Sequence, residues 1–235
     1  MAPRKANQPQ LTQEQIVSAS MGLIDEVGLA GHSMRRLGAE LGVDPSTIYY
    51  HVPSRAALYD LIVDEVLSGI DLSVDDPSAS PEERVVTAGL EYRRALLRHP
   101  RAVPLVAVRA LRTPAQLRPI EAFSRIFFDA GFSPVEAMIA VDTCGTAILG
   151  ATNMHAASLT RSEHHEQETS QTDFTADAFP PGQYPNLTRM LPAGASLGAG
   201  LEFERAMRAL ATGLLALHAA GTLAPSDSEI GGEAP

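Results

Sequence analysis

The sequence predicts an all-α fold in two parts: a small N-terminal domain of three helices with a connecting helix, and a larger helical C-terminal domain. Three observations predict it. Apolar residues recur at helical spacing along nearly the whole chain. Strand signals are poor, with no sustained alternation and no Asn-Gly or Asp-Gly hairpin turn. Helix-start and helix-stop residues also punctuate the chain at regular intervals.

Residues 1–11 read as a flexible arm, basic but with no apolar region behind it, and so not a secretory signal. The first helix starts at Thr12, which has capping-box spacing to Gln15, while Leu11 and Ile16 have the spacing of a hydrophobic staple. Ile16, Ser20, Leu23 and Val27 share one face, and Gly28 is expected to stop the run. A second helix of about two turns begins at Ser33, carries Leu37 and Leu41, and stops at Gly42.

The stretch GVDPSTIYYHV, 42–52, encodes a third helix. Asp44 is its N-cap, and Pro45 occupies the first helical position, where a missing N–H costs nothing. Val43 and Ile48 have staple spacing, which turns Ile48 inward. Val52 before Pro53 ends the helix, because the residue before proline is pushed out of the α region. Ser54 then caps a further helix with Leu58, Leu61 and Ile62 as its apolar stripe. Residues 45–51 therefore form a short helix anchored by Ile48, with Ser46, Thr47, Tyr49, Tyr50 and His51 outside. Two short helices joined by a Gly-containing turn are the helix-turn-helix arrangement, whose second helix fits a major groove. Taken alone, paired tyrosines are equally well explained as half-buried packing with wet hydroxyls.

The stretch HSMRRLGAELGVDPSTIYYHVPSRAALYDLIVDEVL, 32–67, resembles the N-terminal domain of TetR-type transcriptional regulators. It departs from their usual pattern at Arg55, where lysine is commoner, and at Val52, where phenylalanine is usual; both keep a cation and an apolar plug. The resemblance implies double-stranded operator DNA as a partner. By their chemistry Ser46, Thr47 and Tyr49 can reach base edges or thymine methyls, and Tyr50, His51 and Arg55 suit phosphates. Pro45 belongs with this DNA-facing set. In such regulators the start of the preceding helix, here Ser33, Met34 and Arg35, also meets the backbone, and helix N–H groups make a phosphate seat. Residues 1–60 hold five Lys/Arg against six Asp/Glu, so attraction to DNA must come from placement.

Residues 71–83, DLSVDDPSASPEE, are polar and proline-bearing, a boundary between a DNA-binding domain at 12–70 and a second domain at 81–220, with 221–235 a tail. Helices are expected at about 81–98, 101–111, 114–130, 134–160 and 201–220, with a polar stretch from 161 to about 200. Phe203, Met207, Leu210, Leu214 and Leu217 form one stripe, and 134–160 is rich in small residues that let another helix approach. Two such helices per subunit can pair with their copies in a four-helix seam, which makes a homodimer.

FFDAGFSPVEAMIAVDTCGTAILG, 127–150, and LEFERAMRALATGLLAL, 201–217, resemble the ligand-binding and dimerisation domain of the tetracycline repressor class, and YPNLTRML, 184–191, resembles the short helix before its last one. The resemblance implies a small-molecule effector but not tetracycline. That drug is held as a magnesium chelate through a histidine just before a Thr-Pro turn, and AVPLVAVRALRTP, 102–114, has none. The candidate ligand-facing residues are His99, Phe123, Phe127, Met138 and Asp142. Asp142, a carboxylate in an apolar helix stretch, must face solvent or find a partner.

Composition bounds the rest. At 235 residues and 45% hydrophobic content the chain can bury a sizeable core. No unbroken apolar run approaches the roughly 18 residues of a spanning helix. One cysteine, Cys144, forbids an intramolecular disulfide and fits a reducing cytoplasm. The net charge of −10 argues against non-specific coating of nucleic acid or membrane. His155, His164, His165 and Glu166 make no tetrahedral metal set, and 164–166 reads as solvated loop. Cys144 has no thiol-hydrolase signature around it. No metal, cofactor or membrane partner and no catalytic residue is expected. The reading is a ligand-responsive regulator, most simply a repressor released by a small molecule; the alternative is a fold relative that handles a small molecule without binding DNA.

Overall fold

The computed structural model describes residues 11–108, 113–165, 180, 182–190 and 203–224. Helix α1 (Gln13–Gly31) opens with the capping box: Thr12 accepts from the Gln15 amide, and the Gln15 side chain accepts from the Thr12 amide. Gly28 does not end the chain's helical course. It adopts φ 72° and ψ 172°, a conformation that glycine tolerates without strain, and a last turn continues to Gly31. The sequence signals a stop at Gly28, but the left-handed residue makes a kink. Helix α2 (Met34–Leu41) is capped by Ser33 and closed by the left-handed Gly42, α3 (Pro45–His51) is capped by Asp44, and α4 (Arg55–Ser68) is capped by Ser54. Ile16, Ile24, Leu37, Ile48, Val52, Leu58 and Ile62 are all fully buried, so the three short helices close on one core with α4.

After a 3-10 turn at 72–74 comes α5 (Pro81–Leu97), capped by Ser80. A second 3-10 turn at 100–102 leads into α6 (Val103–Val108), and α7 (Pro114–Asp129) starts at its cap Thr113. The helix expected at 101–111 thus begins as a 3-10 turn, and its end lies outside the described residues. Helix α8 (Pro134–His165) runs five residues past its expected end, so His164 and His165 are helical rather than loop. Ser and Glu before the two histidines continue a helix readily once a long one is nucleated, because each added residue brings its own hydrogen bond. Glu166 lies outside the described residues. Short α9 (Pro185–Met190) and long α10 (Phe203–Ala219) complete the fold.

The larger domain is built around α5. It packs on α4, α7, α8 and α10. At Gly89 a Cβ would lie 2.9 Å from Met207 Cε of α10, so the methionine side chain lies over the glycine where the two helices meet. Arg84 of α5 is buried and pairs with Asp75 at 2.6 Å and with Asp129 at the end of α7 at 2.9 Å, tying the interdomain turn to the body. At the α7–α8 turn Gly131 is left-handed, Glu136 accepts from the Ser133 amide, and His218 of α10 stacks on Phe132 and bonds Glu136.

The apolar stripe of α10 divides between two faces. Phe203, Met207, Ala211 and Leu214 are buried in the subunit, Leu210 is partly buried, and Leu217 is 46% exposed. In α8, Ala137, Ala140, Cys144, Ile148 and Ala156 are buried, while Met154 and Leu159 are exposed. Residues 134–159 are long and apolar enough to cross a membrane, yet they pack in this bundle against α5, α6, α7 and α10. Their apolar content is that of a helix with neighbours on more than one side.

Candidate nucleic-acid interface and ligand cavity

The third helix presents its polar set outward. Ser46, Thr47, Tyr49 and Tyr50 are exposed, Tyr50 most of all at 85%, and Ile48 alone of the helix is buried. Such an apolar ring turned fully to water, edge-on to His51 at 5.3 Å between centroids, lacks the burial that would make it a packing residue. Pro45 and His51 are half-buried at the helix ends. The Asp44 carboxylate accepts from the Ser46 amide at 2.9 Å. That fixes the first turn, and hydrogen bonding from Ser46 holds the carboxyl below its usual range.

On α2, Ser33 and Arg35 are exposed, but Met34 is not available as a side chain. It is 7% exposed and part of the core, so only its backbone could face a phosphate. Helix phase explains the inversion: Met34 shares a face with Leu37 and Gly38. Arg36 is turned back onto the Gly31 carbonyl at 3.1 Å.

Arg55 has structural work in addition to any contact with DNA. Its Nη2 donates to the carbonyls of His32 at 3.1 Å and Leu29 at 3.5 Å, and its Nε donates to the Tyr59 hydroxyl at 2.8 Å. Tyr59 stands 3.3 Å from His32 Nδ1, and Ser20 Oγ stands 2.6 Å from His32 Nε2. Both ring nitrogens of the neutral imidazole therefore have a hydroxyl partner, one acting as donor to the ring and the other as acceptor from it. Burial, and secondarily the Arg55 charge, lowers the His32 pKa to about 4. The Ser20–His32–Tyr59–Arg55 network was not legible from sequence, because its members are spread widely along the chain and no spacing rule links them.

The larger domain contains a cavity of about 460 Å³ between α7 and α8, with Tyr92 of α5 and Val106 of α6 at its sides. Phe123 and Ile120 form part of the α7 wall; Val141, Gly145 and Leu149 form part of the α8 wall. Met138 and Asp142 line it and are exposed, so they lie at its mouth. Two expected ligand-facing residues do not line it. Phe127 is fully buried and packs on Phe132 at 5.0 Å between centroids, one turn beyond Phe123 and rotated into the core. His99 lies outside the cavity, with its Nδ1 2.7 Å from Asp25 of α1, because it precedes the 3-10 turn that abuts the first domain. Gln116, not singled out from sequence, lines the cavity and donates to Asp64 of α4 at 2.7 Å. The hydroxyl of Thr113 donates to the same oxygen at 2.5 Å. Cys144 faces the core, and burial pushes its thiol up to about 12, which leaves no thiolate for nucleophilic chemistry.

A polar, exposed helix of helix-turn-helix geometry, joined through one helix to a cavity-bearing body, defines a ligand-responsive, DNA-binding transcriptional regulator. Family comparison gives the particular lineage. A model for the tetracyclin repressor-like C-terminal domain matches residues 75–218, and one for bacterial regulatory proteins of the tetR family matches residues 16–62. An HTH-type transcriptional regulator of Saccharopolyspora erythraea is 30% identical over 211 residues, spanning 88% of this chain and 86% of its own. The structure of ActR from Streptomyces coelicolor in complex with actinorhodin matches with a TM-score of 0.72 at 25% identity, covering 89% of this chain and 97% of that one. BioQ with its double-stranded DNA operator matches with a TM-score of 0.58 at 26% identity, covering 63% of this chain and 89% of that one. The chain belongs to the TetR family.

Proposed function

We propose that the protein is a cytoplasmic homodimeric repressor, without enzymatic activity, whose reading heads hold an operator until a small organic effector enters the cavity. One observation carries the coupling: Gln116 both lines the cavity and holds Asp64 on α4, the helix whose first residues, capped by Ser54, meet the reading head. An effector that draws Gln116 inward acts on α4 without touching DNA. BioQ with its operator and ActR with actinorhodin are the two halves of this behaviour in relatives. The exposed Thr47, Tyr49 and Tyr50 disfavour a carrier that has lost DNA binding, since three such side chains serve no packing purpose where they stand.

Gel shifts on the DNA upstream of the protein's own gene test the first half. Thr47→Ala should alter which operator bases are preferred. Arg35→Ala should weaken all sequences alike and lower the salt slope by about one unit. Arg35 suits this comparison better than Arg55, whose removal would also free the His32 and Leu29 carbonyls. Wild-type binding by both variants across a salt titration would reject the assignment.

The homodimer rests on the outward faces of α8 and α10. Met154, Leu159 and Leu217 would otherwise leave apolar surface in water. Light scattering at micromolar concentration, without DNA or effector, should give twice the chain mass of 25.0 kDa. A monomer there would remove the four-helix seam.

A further inference from the structure

The cavity carries a charge signature. Its lining is mainly apolar, and Asp142 is the one charged side chain among the described residues that form it. Burial pushes the Tyr92 phenol up to about 12, so this second acidic group stays neutral at physiological pH. Asp142 is exposed, beside the exposed Met138 and Phe128, and none of the described residues pairs with it. An unpaired carboxylate at the rim keeps its hydration while the cavity is empty, so it costs little to maintain. Deeper in, Phe123, Ile120 and Leu149 offer aromatic and aliphatic walls. The volume is within the range of drug-sized sites.

Resting on the reading of this cavity as the effector site, we propose that the effector is an organic monocation, its flat apolar body between α7 and α8 and its protonated nitrogen against Asp142. Apolar burial supplies most of the affinity and does not distinguish one flat ring system from another. The carboxylate supplies the distinction. A charge-assisted hydrogen bond beside a low-dielectric wall favours a cation over a neutral analogue of the same shape. An anion placed there meets a like charge with no counter-charge in the described lining. The net charge of −10 acts in the same direction at longer range.

Three probes of one shape test the proposal: 9-aminoacridine, a monocation at pH 7.5; acridine, neutral there; and acridine-9-carboxylate, an anion. Each is titrated by fluorescence against the full chain, Asp142→Asn and Gly145→Leu. A Cβ at Gly145 meets nothing within 4 Å, so leucine there can fill the cavity while improving helix propensity. The expected order is cation, neutral, anion, with about tenfold between the first two. Asp142→Asn should remove most of that difference, and Gly145→Leu should abolish binding of all three. Equal affinities, tightest binding of the anion, or an unchanged preference in Asp142→Asn would overturn the charge preference and leave the cavity as effector site. Failure of every probe to bind the wild type, or binding that survives Gly145→Leu, would overturn the effector-site reading and this inference with it.

Discussion

Gly38→Val is expected to weaken specific operator binding by about a hundredfold while the C-terminal domain stays folded. Gly38 lies where α2 meets the turn into the reading helix. A Cβ there would sit 2.9 Å from the Val43 carbonyl oxygen and 3.4 Å from both Cγ and Cδ of Pro45. The Val43 amide also donates to the Gly38 carbonyl at 2.9 Å, so the two segments of chain are already bonded face to face. Neither obstacle is the end of a flexible side chain. Relief requires the turn to open, and α3 must then shift relative to α2 or pull Ile48 from its pocket. Overpacking of this kind costs about 1–3 kcal/mol. Here the cost falls on the position of the reading helix, and contacts to bases depend on that position more steeply than contacts to phosphates do. Gel shifts with competitor DNA measure the loss, and circular dichroism melting reports whether the larger domain persists. Wild-type affinity in this variant would mean that the close approach does not set the reading helix.

Acid should destabilise the N-terminal domain through His32. The unfolded chain protonates this imidazole near 6.5, and the fold lowers that to about 4. The native state therefore resists a proton that the unfolded state accepts. Stability is complete above about pH 6.5 and falls as the pH drops from there toward 4. Between pH 7.5 and pH 5 the loss is about 2 kcal/mol. A protonated ring would place a buried positive charge beside the Arg55 guanidinium. Urea unfolding at the two pH values checks it, comparing wild type with His32→Gln. The variant should be less stable at pH 7.5 but lose less on acidification. Parallel losses in the two proteins would sink the idea.

The caps were the most legible part of this sequence. Thr12, Ser33, Asp44 and Ser54 each stand where their helix starts, and Gly42 where one stops, because capping is settled within three residues along the chain. Gly28 misled because a glycine permits either a stop or a kink, and the packing of Leu29 to Gly31 beyond it decides between them. Sidedness was legible where a staple fixed it, as at Ile48. It failed for Phe127, whose helix has apolar residues on more than one face, so only the packed neighbour selects the phase; for Met34 the spacing to Leu37 and Leu41 already pointed inward, and only the helix start's backbone was left to meet DNA. Of the residues expected to meet DNA, Ser33, Arg35, Ser46, Thr47, Tyr49, Tyr50 and Arg55 are exposed, Pro45 and His51 half-buried, and Met34 turned inward. The cavity was least legible. Phe123, Met138 and Asp142 line it, whereas His99 and Phe127 do not, and Gln116 joins it through a partner 52 positions away. No spacing rule carries such a pairing.

The two domains are joined unevenly. On the α1 side the polar links include the exposed pair of Asp25 with His99 and a bond from Arg101 to the Glu26 carbonyl, and the 3-10 turn at 100–102 also packs on that helix. Exposed pairs of this kind are worth about 0–1 kcal/mol. On the α4 side Asp64 accepts from both Thr113 and Gln116 in a part-buried setting. If α4 pivots about Asp64, its N-terminal end moves on a lever arm set by the length of helix between them. Nine residue steps of helix separate Arg55 from Asp64, about 14 Å at 1.5 Å per residue. A swing of about 10° at Asp64 therefore carries the start of α4 through about 2 Å. In a dimer both heads swing about separate axes, so the distance between them changes by up to twice the displacement of either one.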